Sequence, residues 1–347
     1  MLPRRFAIGS AVRQLCDRAM TGSEKNILRR PQRGLTLVEL MIAVAINLVV
    51  VLAAAYLYLN GRQTQRAVEE RSAIFENGQL ALELIGKDIG NAGYYPAHMH
   101  EPGAMLQVNM GSYVNPAPLV AAFNAGVFGC SNGRFQNGAC VNADGTAYKH
   151  DGLLLNYFTD DNLNLAAGAR ADCQGSRVDN DAGINQARAG GAWKSANLPP
   201  ESPLFVSNGY TLREMAYSAD GGARTINTFG LACLGNGSAS YQVLVPGIEQ
   251  FRVRYGLRDA SAARASQYVD AAAANNAVNV VVNDQTLSAW QRVVSIQVCV
   301  VARSLTSTRF NGAGDDTRTD CDGQTFPSDG VQRRRFLQVF AVKNRLS

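Results

Sequence analysis

From Leu40 to Leu59 the chain reads LMIAVAINLVVVLAAAYLYL, twenty residues in which Asn47 is the only strongly polar one. A helix of that length spans about 30 Å, the thickness of a bilayer's hydrocarbon core. Arg29, Arg30 and Arg33 precede it, and the first charge after it is Arg62. A basic flank of this kind stays cytoplasmic, so the C-terminal bulk of the chain is expected outside. Tyr56 and Tyr58 stand where an interfacial aromatic belt would lie.

Hydropathy alone leaves three meanings for this run. A secretory signal peptide is disfavoured, because the apolar stretch is too long for its hydrophobic region and no small-x-small cleavage site follows in a polar context. A plain single-pass anchor fits the hydropathy but leaves Glu39 unexplained. A charge inside an otherwise apolar membrane helix costs on the order of 2.5–3.5 kcal/mol and normally has a named partner.

The residues around Glu39 carry a resemblance. The segment RGLTLVELMIAVAI, Arg33–Ile46, resembles the type IV prepilin signature, in which a Gly is followed by an apolar or aromatic residue and then Thr-Leu-Val-Glu. The resemblance implies that prepilin peptidase cuts between Gly34 and Leu35 and that the new α-amine of Leu35 is methylated. The family more often starts its mature chain with Phe, so Leu35 is a departure. Glu39 becomes the fifth mature residue, the family's acidic position. In a filament its carboxylate would pair with the ammonium of an adjacent subunit, neutralising both charges and setting axial register. A leader of 34 residues is long for this family. A start at Met20 gives MTGSEKNILRRPQRG, closer to the usual length, and Cys16 would then never be made.

Charge and cysteines fit an exported body. Residues 1–34 hold eight of the 33 Lys and Arg but only Asp17 and Glu24 of the 28 acidic residues. The remainder is nearly neutral, so the basic balance gives no support for nucleic-acid binding. Six cysteines lie beyond residue 100: Cys130, Cys140, Cys173, Cys233, Cys299 and Cys321. An even set without CxxC spacing, and with only His98, His100 and His150 in the chain, suits disulfides in an oxidising compartment better than metal. Six cysteines allow about 15 connectivities. Pairing sequence neighbours, Cys130–Cys140 and Cys299–Cys321, would leave Cys173–Cys233.

With no proline between Gln32 and Tyr95, one helix is expected from about Thr36 to Asn91, roughly 84 Å long. Past the membrane, Val68, Phe75, Leu82 and Ile89 recur every seven residues, joined by Ile74, Ala81 and Ile85. This stripe should face a globular head, with Arg66, Glu69, Glu70, Glu76, Glu83 and Lys87 mostly on other faces. Gly61, Gly78, Gly86 and Gly90 weaken the helix and are expected to allow bends. The stretch ENGQLALELIGKDIGNAGYYP, Glu76–Pro96, is similar to the segment that closes the N-terminal helix in PilW-type minor pilins. Here Ile85 replaces the second Leu of that pattern, and Gly90 stands where a basic residue is common. Its expected role is to dock the helix, with Gly93 as C-cap.

From residue 97 the pattern turns to strands. Candidates are Leu153–Phe158, Tyr241–Val245, Gln250–Leu257, Val293–Ala302 and Arg335–Val342. The run Val245–Leu257 resembles the family's central strand pair, and Arg333–Arg345 its last strand. Three arginines in a row there would discourage edge-to-edge aggregation. Segments 126–145, 172–192 and 260–277 read as loops, the first two held by disulfides and the last mobile.

Chemical motifs are sparse. Asp315, Asp316, Asp320 and Asp322 form an acidic loop that could hold Ca²⁺, but without EF-hand spacing a solvated loop is the better reading. His98 and His100 lack an evident third ligand. Asp160-Asp161 and Asp179-Asn180-Asp181 weigh less still, and no P-loop or H-E-x-x-H occurs. No enzyme and no cofactor are expected.

The sequence thus reads as an α+β, pilin-like chain. It comprises a cleaved leader 1–34, a transmembrane and filament-core helix 35–60, an amphipathic half 61–93, and a β-rich head 94–347 on an antiparallel sheet with long disulfide-held loops. The resemblance implies a minor pilin of PilW type, first in the inner membrane with its N-terminus cytoplasmic and head periplasmic, then in the pilus. Implied roles are filament initiation, twitching motility and adhesion. Implied partners are prepilin peptidase, other minor pilins, a major pilin and a pilus-tip adhesin, with no nucleic acid. The alternatives are a minor pseudopilin of a type II secretion system, and a membrane-tethered adhesin or binding module that never polymerises.

Overall fold

The computed structural model describes residues 34, 36–94, 126–136, 139–142, 150–159, 171–176, 204–219, 224–235, 238, 240–259, 264–282, 285–305, 319–326, 329 and 331–345. The chain divides into two units, Met1–Gln63 and Thr64–Ser347.

In the first unit, helix α1 (Leu37–Asn91) begins. The Thr36 hydroxyl accepts the Glu39 amide at 3.3 Å, which satisfies one of the four amides that a helix start leaves without a partner. Thr36-Leu37-Val38-Glu39 has the spacing of a capping box. Every residue from Thr36 to Gln63 is exposed; Val49, for instance, is 65% exposed. The segment is apolar all round, where a soluble surface helix would carry a stripe.

In the second unit, α1 runs on to Asn91. Its buried side is Glu70, Ile74, Gly78, Ala81, Leu82, Ile85, Asp88 and Ile89. This corrects the seven-residue stripe. Val68 is 60% and Phe75 44% exposed, whereas Glu70, expected on another face, is buried. A seven-residue repeat drifts about 20° per heptad on a straight helix, so its upstream members rotate out of the contact. The helix stops where Gly93 takes a φ of 73°, the left-handed conformation that favours glycine. Its amide donates to the Asn156 carbonyl at 2.9 Å. A side chain on Gly126 would collide with the Gly93 backbone, so this close approach requires glycine at 126.

Thirteen strands are present among the described residues, all paired antiparallel. They are β1 (Val127–Cys130), β2 (Gly133–Gln136), β3 (Ala139–Asn142), β4 (Gly152–Thr159), β5 (Leu204–Ala219), β6 (Arg224–Gly235), β7 (Gln242–Pro246), β8 (Ile248–Arg258), β9 (Ala265–Val269), β10 (Val280–Val282), β11 (Gln285–Leu287), β12 (Val293–Arg303) and β13 (Arg333–Ala341). One sheet has the order β1-β4-β5-β6-β7 and a second the order β13-β12-β8-β9; β2-β3 and β10-β11 are separate hairpins. Ile85 and Ile89 of α1 share a core with Leu153, Leu155 and Leu231 of the first sheet and Val253, Ile296 and Val298 of the second. The α+β class with a long apolar N-terminal helix and antiparallel sheets is therefore the fold observed.

Three expectations need correction. Val245–Leu257 is not a strand pair. At Gly247, with φ 72°, the chain leaves the first sheet and enters the second. The Gly247 amide donates to the Phe229 carbonyl and its own carbonyl accepts the Arg303 amide, so the corner is bonded to both sheets. Segment 260–277 contains β9 and a short helix α2 (Ala271–Asn276) capped by the Asp270 carboxylate, which accepts the Ala273 amide at 2.7 Å. The loop read over 126–145 contains β1, β2 and β3.

The helix glycines also have a packing role. A Cβ on Gly78 would lie 2.3 Å from the Phe336 ring, and one on Gly86 2.4 Å from the Phe340 ring. Eight residues of helix advance about 12 Å, and four residues of strand about 13 Å. The two glycines are thus spaced to receive two side chains from one face of β13, four residues apart.

Candidate functional site

Two groups of residues concern function: the start of α1, and the contacts that fix its other end to the sheets. At the start, Gly34 is exposed, Thr36 caps the first turn, and Glu39 stands in that turn. Leu35 lies outside the described residues. Glu39 is the only acidic residue among the exposed apolar residues that follow, up to Leu59.

At the far end, Asp88 is 6% exposed. Its carboxylate accepts hydrogen bonds from Tyr210 Oη at 2.6 Å, Asn208 Nδ2 at 2.7 Å and Tyr157 Oη at 3.3 Å. These donors come from the neighbouring strands β4 and β5, whose register sets Leu155 opposite Asn208 and Leu153 opposite Tyr210. Burial raises the Asp88 pKa above the usual carboxylate value, opposed by the bonds from Tyr210, Asn208 and Tyr157. Burial, with the Asp88 charge next, likewise raises the Tyr210 phenol. Four polar groups that satisfy one another inside a core act as a lock on position, because separating them leaves buried donors without acceptors. Asp88 belongs to the Glu76–Pro96 segment, but sequence reasoning assigned it no role. The available signal was its spacing from Ile85 and Ile89, three residues before it and one after, on the buried side.

A second cluster joins the sheets to the loops. Asp151, 5% exposed, accepts the Asn132 amide, the Val253 amide and the Arg252 guanidinium, at 3.0, 3.0 and 3.1 Å. Arg252 also holds Asp322 at 3.0 Å and Asn132 at 2.8 Å. Burial raises the Asp151 carboxyl despite these bonds. The structure joins Cys130 to Cys140, Cys173 to Cys233 and Cys299 to Cys321. The third bond sets residues 319–326 beside β8, where Asp320 accepts the Asp322 and Gln324 amides and Gln250 reaches both carboxylates.

Of the four Ca²⁺ candidates, Asp315 and Asp316 lie outside the described residues. Asp322 is taken up by the Arg252 guanidinium, which stands where a cation would. Among the described residues no cluster of three His, Cys, Asp or Glu could hold a metal. His98, His100, Asp160-Asp161 and Asp179-Asn180-Asp181 also lie outside them. His150 is buried, and burial, with Arg252 and Arg134 nearby, lowers its pKa to about 4, so it is neutral at physiological pH.

Comparison with known proteins adds the following. Residues 216–344 match the family described as Type IV Pilus-assembly protein W. Residues 29–55 match the prokaryotic N-terminal methylation motif. No curated protein matches the chain. Among solved structures, a type IV-like pilin from Thermus thermophilus is similar at 10% identity and a TM-score of 0.35, over 78% of this chain and 96% of that one. A likeness that distant carries no argument. The Glu76–Pro96 segment lies between the two matched ranges and inside neither, whereas β6 to β13 fall within the first. The chain is PilW-like: a Type IV Pilus-assembly protein W match in the head follows a prepilin-type methylation motif at the start of α1.

Proposed function

We propose that this chain is a minor pilin of a type IV pilus, cut after Gly34, methylated at Leu35, and joined to the filament through the apolar half of α1. The observation that carries the reading is a helix exposed and apolar on all sides from Thr36, with a single carboxylate in its first turn. Such a surface needs lipid first, and in a filament the equivalent helices of other subunits. Neither lipid nor neighbouring apolar helices can stabilise a lone carboxylate, so Glu39 needs a cation. Cleavage after Gly34 creates one, the Leu35 ammonium of an adjacent subunit. In this reading the precursor sits in the inner membrane with its N-terminus cytoplasmic and its head periplasmic. Prepilin peptidase processes it, and other minor pilins, a major pilin and a pilus-tip adhesin are its partners in starting the filament. The chain has no catalytic part in this scheme, and the Asp88 cluster holds the head to its helix.

Deleting the gene tests the assignment. Pilus number and twitching are expected to fall with exoprotein secretion unchanged. Loss of secretion with normal twitching would instead indicate a pseudopilin of a type II secretion system. Normal values for both would indicate a tethered adhesin that does not polymerise.

A further inference from the structure

Strand β13 pairs with β12 along its whole length, Arg333 to Ala341 against Arg303 to Ser295, without a register break. Among the described residues it pairs with no other strand. Two bonds fix which of its backbone groups face β12. The Ser304 amide donates to the Gln332 carbonyl, and the Val342 amide donates to the Val294 carbonyl. Strands repeat every two residues, so the even-numbered residues of β13 bond to β12. Arg335, Leu337, Val339 and Ala341 therefore turn their N–H and C=O groups to the open edge.

The same alternation sorts the side chains. Phe336 and Phe340 lie against Gly78 and Gly86 of α1. On the opposite face Leu337 is 55% and Val339 49% exposed. A straight, unbulged, apolar edge is what folded proteins usually blunt with charge. Here the arginines sit at one end and are engaged. Arg333 is held by Glu249 and Asp329, Arg334 stacks over Phe75 and Phe336, and Arg335 bonds to Thr319 and the Asp320 carbonyl. They leave Leu337 to Ala341 unguarded. A groove of about 360 Å³ lies between α1 and β13, lined by Gln79, Leu82, Glu83, Gly86, Gln338 and Phe340. Glu83 is its one charged group.

We propose that the open edge of β13 receives an extended strand from a different polypeptide, by strand addition. Alternate apolar side chains of that strand lie beside Leu337 and Val339. The intervening side chains enter the groove, where Glu83 selects a basic one and Gln79 and Gln338 supply hydrogen bonds. The inference stands apart from the assembly reading, since it concerns only the second unit and is tested without filaments.

The test uses the full chain in detergent and two blocked nine-residue peptides, one alternating Val and Lys, the other alternating Val and Glu. Fluorescence anisotropy reads binding, and amide exchange reads its location. The Val/Lys peptide is expected to bind at least about tenfold more tightly than the Val/Glu peptide, as a charge reversal against one carboxylate implies. It should slow exchange at Arg335, Leu337, Val339 and Ala341, the residues whose amides face outward. Val339→Pro removes an outward N–H and no bond to β12, the position where edge strands tolerate proline. It is expected to weaken binding about tenfold or more, the effect of losing one edge bond and its alignment. Should that variant fail to fold, Leu337→Lys supplies the same comparison. Glu83→Lys should reverse the preference between the peptides. Failure of both peptides to bind, or equal binding by the edge variants, overturns the proposal. So does concentration-dependent self-association that an edge variant abolishes, because the occupant would then be a second copy.

Discussion

Replacing Asp88 with alanine is expected to destabilise the second unit by about 3–5 kcal/mol, a large share of what a domain of ordinary stability has. The side chain is 6% exposed and is the acceptor for Asn208, Tyr210 and Tyr157. Alanine leaves at least two buried donors without partners, at about 1–3 kcal/mol each, and opens a small cavity. Urea unfolding followed by tryptophan fluorescence measures the loss. A change below about 1 kcal/mol, the size of an ordinary surface substitution, would mean that the cluster does not hold the helix.

The same residue sets a pH dependence. Burial raises its folded-state pKa above the usual carboxylate value. A raised carboxyl pKa means that folding disfavours the ionised form. The protonated form contributes its full stability below the unfolded value, and that contribution is lost as pH rises through the folded value. Asp151 shifts in the same direction, so the comparison must isolate one residue. Asp88→Asn has no such titration at that position. The stability of the unsubstituted protein relative to Asp88→Asn should therefore decline with rising pH in that window. A relative stability that rises there would show that hydrogen bonding to the carboxylate outweighs its burial.

The other large effect is expected at the opposite end of α1. Glu39→Ala should leave membrane insertion, cleavage after Gly34 and head stability unchanged, because the side chain is exposed in the first turn of α1. Pilus number should nevertheless fall about tenfold or more, since an unpaired ammonium among apolar helices costs on the order of 2.5–3.5 kcal/mol and each 1.4 kcal/mol is a tenfold change in an equilibrium. Glu39→Gln separates charge from shape: a defect like that of alanine indicates an ion pair, and a normal pilus count indicates packing. Electron-microscopic counting of pili reads both variants. An unchanged count in Glu39→Ala would remove the assembly role assigned to the carboxylate.

What the sequence disclosed, and what it hid, follows from the range of the interactions. The membrane helix needs no partner to be recognised, because twenty nearly continuous apolar residues exceed what any surface helix requires. Strands β4, β8 and β12 were legible as runs of Leu, Val, Ile and aromatic residues. Strands β5 and β6 were missed although both exceed ten residues. Their buried positions include Ser207, Asn208, Thr211 and Thr228, polar residues that sequence alone assigns to loops. The change of sheet at Gly247 depends on bonds to Phe229 and Arg303, neither of them close in sequence. Asp88 follows Lys87 and reads as a solvated charge until Asn208 and Tyr210, 120 and 122 residues away, are brought to it. Asp322 looked available to a cation because Arg252, its partner, lies 70 residues earlier. The cysteine pairs taken from sequence neighbours coincide with the bonds in the structure, where two of the three close segments of 10 and 22 residues.

The N-terminus of the protein as it occurs in sheared pili tests the central claim most directly. Intact-mass and fragment-ion measurement on that material should find a chain beginning at N-methylated Leu35. A chain beginning at Met1 or Met20, or the absence of the protein from pili that are otherwise normally assembled, would contradict it.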